Sequence, residues 1–83
     1  MFYKIKSVKA LPGYQLLVKF TNKEKKKYDV KHLFKKIKEF KALSYTKGLF
    51  EQVKVDIGGY GVVWNDDLDL SCNELYKNGK KEV

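Results

Sequence analysis

Apolar and polar residues alternate through most of the first 30 positions, a pattern typical of strands with one buried face. A first strand is predicted around Tyr3–Val8, a second over Tyr14–Phe20 and a third over Lys25–Val30. The segments between them contain Leu11-Pro12-Gly13 and Thr21–Glu24, which are rich in turn-forming residues. The sequence therefore predicts a three-stranded antiparallel meander with one face toward the core.

An amphipathic helix is predicted to follow the meander. Asp29 is a typical N-cap residue for a helix that begins near Val30. At about 100° per residue, the apolar side of this helix consists of Leu33, Phe34, Ile37 and Phe40. Leu43 departs from that stripe, so we expect the helix to stop near Lys36 and restart, with a second helical turn between Ser44 and Val53.

Alternation returns in the second half of the chain. Val53–Ile57 is predicted to form a fourth strand and Val62–Trp64 a fifth. Gly58–Gly61 is rich in glycine, as a tight turn with positive φ angles requires, so the two strands are expected to form a hairpin. Asn65–Asp69 is interpreted as an acidic loop.

A short C-terminal helix completes the predicted fold, which belongs to the α+β class. Ser71, followed three residues later by Glu74, forms a capping box that places this helix at Cys72–Lys77. Asn78-Gly79 is predicted to end it in the left-handed conformation. Residues 80–83 are expected to form a disordered tail.

Length and cysteine content limit the class of protein. The 83 residues fit one domain, assigned to residues 1–79. The single cysteine, Cys72, cannot form an internal disulfide, which favours a reducing compartment. The N-terminus lacks the apolar run of a signal peptide, and no apolar stretch approaches about 18 residues. We therefore expect a cytoplasmic protein that does not bind a membrane.

The charge of the chain is positive and unevenly distributed. The net charge is +8, and all 18 basic residues are lysine. Residues 1–47 hold 14 lysines against 3 acidic residues, a net of +11, whereas residues 48–83 carry −3. Arginine offers the planar fork that grips phosphates and base edges, so its absence weakens the case for sequence-specific recognition of nucleic acid.

The residue types needed for catalysis or metal binding are too few. Cys72 at a helix N-terminus could be a reactive thiolate, but the only histidine, His32, is predicted on a different element. One His and one Cys fall short of the ligands that zinc requires. The first three ligands of a calcium-binding loop have the same spacing as Asn65, Asp67 and Asp69. The glycine and the glutamate that complete that motif are missing from this chain. No catalytic, metal or cofactor site is predicted, and the protein is not expected to be an enzyme.

The order of core and turn residues resembles the bacterial domain of unknown function number 2442, over roughly residues 3–79. The residues that carry the resemblance are Val8, Leu11-Pro12, Tyr14, Leu16, Val18, Phe20, Asn22, Tyr28-Asp29, Leu33-Phe34, Phe40, Leu43, Phe50, Val53-Lys54-Val55-Asp56, Val62-Val63-Trp64, Asp69-Leu70 and Leu75-Tyr76. The family usually has Gly where this chain has Lys23, and often Pro where it has Asn65. The resemblance implies a compact α+β fold with no established activity. It also implies that some relatives take part in toxin–antitoxin-like pairs or carry a helix-turn-helix segment.

Lysines are concentrated between residues 23 and 41. The predicted partner-binding residues are Lys23, Lys25, Lys26, Lys27, Lys31, Lys35 and Lys38, with Lys36 and Lys41 in the same region. If the predicted turn, third strand and first helix share a face, the positive electrostatic potential of that face attracts an acidic protein or nucleic acid. The sequence favours a non-enzymatic interaction module with an acidic protein partner, and the resemblance implies that the module is one member of a bacterial toxin–antitoxin-like pair. Non-specific nucleic-acid binding through residues 23–41 is the alternative. A solvated lysine surface without a partner stays open, as does a dimer formed through a sheet edge.

Overall fold

The computed structural model describes residues 4–82. The predicted strand residue Tyr3 and the predicted tail residue Val83 lie outside this range. The strands are β1 (Ile5–Leu11), β2 (Gln15–Phe20), β3 (Lys25–Asp29), β4 (Lys54–Val55), β5 (Gly61–Asn65), β6 (Leu68–Ser71) and β7 (Lys80–Lys81). The α-helices are α1 (Leu33–Lys36), α2 (Ala42–Tyr45) and α3 (Cys72–Asn78), with 3-10 helices at Val30–His32, Lys38–Lys41, Phe50–Gln52 and Ile57–Gly59.

The strands form two antiparallel sheets. The first has four strands in the order β1-β2-β3-β7, and the second has three in the order β4-β5-β6. β1, β2 and β3 are the predicted meander, and β4 with β5 is the predicted hairpin. The α+β class and these two elements are confirmed.

The core forms where the two sheets and the short helices meet. Alternation along β2 buries Leu16, Val18 and Phe20 on one side. These side chains belong to one cluster with residues from the second sheet and the helices, including Trp64 and Leu75. Because one face of the meander packs in this core, its other face is exposed to solvent.

The expected acidic loop at Asn65–Asp69 is wrong, because β6 begins inside it. The Asn65 side-chain oxygen accepts hydrogen bonds from the backbone N–H groups of Asp67 and Leu68 and closes a tight turn. Leu68 and Leu70 are buried. Burial of these two leucines favours a third strand in the second sheet over an acidic loop.

The helical segment is interrupted where the sequence indicated. The Asp29 carboxylate caps the first turn by accepting from Lys31 N–H at 3.0 Å. α1 ends at Lys36, because Ile37 adopts an extended conformation at φ −126°. The predicted apolar stripe is wrong at Ile37, which is 40% exposed. The fourth-strand prediction is likewise wrong at Ile57, which lies in a 3-10 helix and is 92% exposed.

The C-terminal residues differ from the expected disordered tail. Lys80 and Lys81 form β7, which pairs with β3 opposite Lys27 and Lys26. Gly79, predicted to be left-handed, is instead extended at φ −74° and ψ 151°. A Cβ at Gly79 would lie 2.5 Å from the backbone oxygen of Leu75, so a side chain there would push β7 away from α3.

The turn between β2 and β3 contains a residue under strain. Lys23 has φ +74°, which is costly for a residue with a Cβ. We expect Lys23→Gly to raise the free energy of unfolding by about 0.5–1 kcal/mol, visible as a higher melting temperature. As a control, Lys35→Gly inside α1 should lower it by about 1 kcal/mol. A lower stability for Lys23→Gly would contradict this account of the turn.

Candidate functional site

At its paired positions, the outer face of the four-stranded sheet carries five lysines, whereas Lys6 lies in the bulge between Ile5 and Ser7 of β1 and has no cross-strand partner. Successive side chains of a strand point to opposite faces, and residues directly opposite on neighbouring strands share a face. Because Leu16 and Val18 of β2 point into the core, Leu17, Lys19 and their cross-strand partners point outward. The outward lysines, named here the lysine face, are Lys9, Lys19, Lys25, Lys27 and Lys80.

The lysine face consists of two rows that run across the strands. In one row Lys19 lies opposite Lys25. The other row contains, strand by strand, Lys9, Leu17, Lys27 and Lys80. With about 4.8 Å between strands and about 6.7 Å between alternate residues of one strand, the lysines occupy a band about 14 Å long and 7 Å wide. Four of the five are exposed, and Lys27 is half-buried.

The arrangement places like charges directly across from each other. Lys19 faces Lys25, and Lys27 faces Lys80. Such cross-strand pairs are destabilising by a few tenths of a kcal/mol. The Lys27 Nζ lies 3.4 Å from a Glu82 carboxylate oxygen, which relieves one of the charges. Within residues 4–82, the other four ammonium groups have no carboxylate at ion-pair distance, so they are available to an external anion.

The seven lysines predicted from the sequence to bind a partner do not share one face of the sheet. They are Lys23, Lys25, Lys26, Lys27, Lys31, Lys35 and Lys38, and of these only Lys25 and Lys27 belong to the lysine face. Lys23 lies in the turn between β2 and β3. Lys31, Lys35 and Lys38 are exposed on the helical segment that follows the sheet.

Lys26 has a structural contact on the inner side of the sheet. It lies opposite Val18 on β2, so it points away from the lysine face. Its Nζ lies 3.8 Å from the centre of the Tyr76 ring and donates a hydrogen bond to the Tyr76 backbone oxygen. Lys26 therefore ties β3 to α3 and is not free to bind a partner.

Three residues of the lysine face were missed by the sequence analysis. Lys9 and Lys19 alternate with the inward-facing Val8 and Val18, so the period of two could have identified them as outward. Lys80 was placed in a disordered tail, and nothing in the local pattern indicated its pairing with β3.

The residues considered for catalysis are divided between two places: His32 and Asp69 line one surface hollow, whereas Cys72 lies in the core. Cys72 is buried in the core, and this burial raises the pKa of its thiol, which disfavours the reactive thiolate. His32 is exposed on a 3-10 helix, with its ring centre 5.4 Å from that of Tyr28. Among residues 4–82, no three His, Cys, Asp or Glu side chains are grouped so that they could hold a metal ion.

A partly buried hydrogen bond links β3 to α3. The Tyr28 hydroxyl donates to the Glu74 carboxylate at 2.7 Å, while the Ser71 hydroxyl caps α3 by accepting from Glu74 N–H. Glu74 is thus directed to the sheet, and only the Ser71 half of the predicted capping box is confirmed. Burial, followed by the hydrogen bond to Glu74, raises the pKa of Tyr28 above its ordinary value.

The raised pKa of Tyr28 predicts how stability depends on pH. Because the unfolded chain loses the Tyr28 proton first, near pH ~10, this contribution to the free energy of unfolding is complete below that pH and is lost as pH rises further. We expect urea denaturation from about pH 8 to about pH 11 to show a steeper loss of stability in the wild type than in Tyr28→Phe. If the two stability curves fall with the same slope above pH ~10, the assignment is wrong. A difference of about 1 kcal/mol below pH ~9 is expected in either case, because Tyr28→Phe removes the hydrogen bond to Glu74.

Two small antiparallel sheets with short helices define the class, a compact α+β domain. The family model described as "Protein of unknown function (DUF2442)" matches residues 5–81. The chain belongs to this family. A comparison with curated proteins finds no match.

The fold is similar to that of a solved protein from Nitrosomonas europaea. Its crystal structure is described as that of a "Putative DNA Binding Protein", and it superimposes with a TM-score of 0.78 at 25% sequence identity. The similarity covers 94% of this chain but 49% of that protein, so the present chain spans about half of its length. Among residues 4–82, none of the helices has both the length and the apolar character needed to cross a bilayer.

Proposed function

We propose that the protein binds nucleic acid through the lysine face. The observation that carries this proposal is the band of five outward lysines. In two places a lysine lies directly across from another lysine, and the two positive charges repel each other. A line of phosphates supplies the negative charge that relieves this repulsion. The band is broad, shallow and exposed, as contact with a backbone requires.

The chemistry of the lysine face suits phosphate contacts. Each ammonium group is a flexible point charge that can approach a phosphate oxygen from several directions. Binding releases counterions condensed on the nucleic acid, and this release supplies the affinity without sequence recognition. Because the chain has no arginine, it lacks the residue that most often reads guanine.

The Nitrosomonas europaea protein supports the proposal through its description as a "Putative DNA Binding Protein". The support is limited to the shared fold, since this chain covers 49% of that protein. The lysine face therefore provides the main argument, because it is built from residues of this chain.

The salt dependence of binding tests the proposal. We expect the protein to bind a fluorescein-labelled DNA duplex, with affinity measured by fluorescence anisotropy at several salt concentrations. Four or five phosphate contacts give a slope of log affinity against log salt of about −3.6 to −4.5. Affinity should therefore fall by about 150- to 500-fold between about 50 and 200 mM salt. Absence of binding at the lowest salt, or a slope near zero, would refute the proposal.

A protein partner is the second candidate function, and the exposure of Ile57 favours it. Ile57 is 92% exposed and Tyr60 is 64% exposed, at the two ends of one short turn. An exposed apolar pair of this kind suits a protein contact. A partner in a toxin–antitoxin-like pair, which the family resemblance implies, would be a co-produced protein. Co-purification should then yield a stoichiometric partner with the wild type and lose it with Ile57→Ser.

We also propose that the protein acts without catalysis and in the cytoplasm. The burial of Cys72, together with the exposure of His32 on a separate element, supports the first part. A cysteine that forms no disulfide supports the second.

A further inference from the structure

We infer that the lysine face selects double-stranded nucleic acid of any sequence over single strands. This inference rests on the proposed function and specifies its ligand. Three features of the lysine face support this inference. The lysines form two rows, none of the described outward residues is aromatic, and the polar side chains are mostly lysines that contact phosphates rather than bases.

The two rows of lysines can both be neutralised only by a ligand that has two lines of phosphates. One row holds Lys19 and Lys25, and the other holds Lys9, Lys27 and Lys80. The rows are about 7 Å apart, since they are two residues apart along each strand. The minor groove of B-form DNA is about 6 Å wide between the surfaces of its two backbones, and the flexible stems of the lysines allow each row to reach one backbone. A single strand offers one line of phosphates and leaves one row unmatched.

The face lacks the side chains that hold single strands. Proteins that bind single strands stack the bases on aromatic rings, in addition to neutralising the backbone. The described outward residues of β1, β2, β3 and β7 are Ser7, Lys9, Leu11, Gln15, Leu17, Lys19, Lys25, Lys27, Asp29 and Lys80. None of these is aromatic, so unstacked bases gain nothing from this surface.

The same residues explain why the sequence of the duplex should not matter. Gln15 is the one amide side chain among the described outward residues, and it is half-buried beside Asp29. The lysines contact phosphates, which are the same in every base pair. Recognition therefore depends on charge and on the spacing of the two backbones.

Parallel titrations of duplex and single strand test the inference. The labelled probes are two duplexes of about 20 base pairs with unrelated sequences, and one single strand of each. At about 50 mM salt, a duplex that contacts the four unpaired lysines of both rows should bind about 10³-fold more tightly than a single strand of equal length that contacts the two unpaired lysines of one row. The two duplexes should agree within a factor of about 3.

The possible outcomes separate the inference from the proposed function. A preference for duplex of about tenfold or less, which the higher charge density of duplex DNA gives without any match to two rows, overturns the inference and leaves nucleic-acid binding intact. More than tenfold discrimination between the two duplexes overturns independence of sequence. Absence of binding to all four probes overturns the proposed function itself.

Discussion

The variant Lys19→Glu/Lys80→Glu is expected to bind duplex DNA about 10²-fold more weakly than the wild type at about 50 mM salt. At this concentration, counterion release makes each phosphate contact worth about tenfold in affinity, and the variant loses one contact from each row of the lysine face. The slope of log affinity against log salt should become shallower by about 2. Anisotropy titrations give both quantities.

The same variant is expected to be as stable as the wild type or more so. Lys19 faces Lys25 and Lys80 faces Lys27, so both like-charge pairs become opposite-charge pairs. This change should raise the free energy of unfolding by about 0.5–1 kcal/mol, measured by urea denaturation. Lower affinity together with higher stability would indicate that these lysines serve binding rather than folding.

A matched control separates position from net charge. Lys35→Glu/Lys38→Glu changes the net charge by the same amount, on exposed residues of the helical segment. Because Lys35 and Lys38 lie outside the sheet, they make no phosphate contact in the proposed complex, and this control should weaken binding by less than about tenfold. If the two variants lose affinity equally, the lysine face is not the binding surface, and total charge alone governs the interaction.

The parts of the fold that the sequence predicted share strong local patterns. β2 was identified because Leu16, Val18 and Phe20 occupy alternate positions, and the structure buries all three. The end of α1 near Lys36 was predicted because Leu43 departs from the apolar stripe of the helix. In both cases the residues that determine the structure are neighbours in the chain.

β6 was missed because two signals compete in a short segment. Asp66, Asp67 and Asp69 indicate a loop by composition, whereas Leu68 and Leu70 alternate as in a strand. The carboxylates stay exposed, so they allow the strand, and burial of the two leucines decides the outcome. The period of the apolar residues was the better guide here than the acidic composition.

The lysine face could be predicted only in part, because it depends on contacts between distant residues. The outward direction of Lys9 and Lys19 follows from local alternation. Their position beside Lys25 and Lys27 depends on the register of three strands, and Lys80 joins them through the pairing of β7 with β3. A count of lysines along the chain therefore identified the charged region but not its shape.

Replacement of Trp64 is expected to have the largest effect on stability. Trp64 is 5% exposed, its ring contacts those of Phe40 and Phe50, and its Nε1 donates to the Phe50 backbone oxygen at 3.0 Å. It thereby joins β5 to the helical segment. Trp64→Ala should lower the free energy of unfolding by about 3–5 kcal/mol, a large part of the total for a domain of this size. Urea denaturation followed by far-UV circular dichroism measures this loss.

Trp64→Phe separates the hydrogen bond from the packing. The phenyl ring retains much of the apolar contact but leaves the Phe50 oxygen without its donor, so a loss of about 1–3 kcal/mol is expected. Tyr45→Ala is the control, because Tyr45 is 74% exposed and its removal should change stability by no more than about 0.5 kcal/mol. If Trp64→Phe matched the wild type, the indole N–H would contribute nothing, and packing between the second sheet and the helices would account for the whole effect of Trp64→Ala.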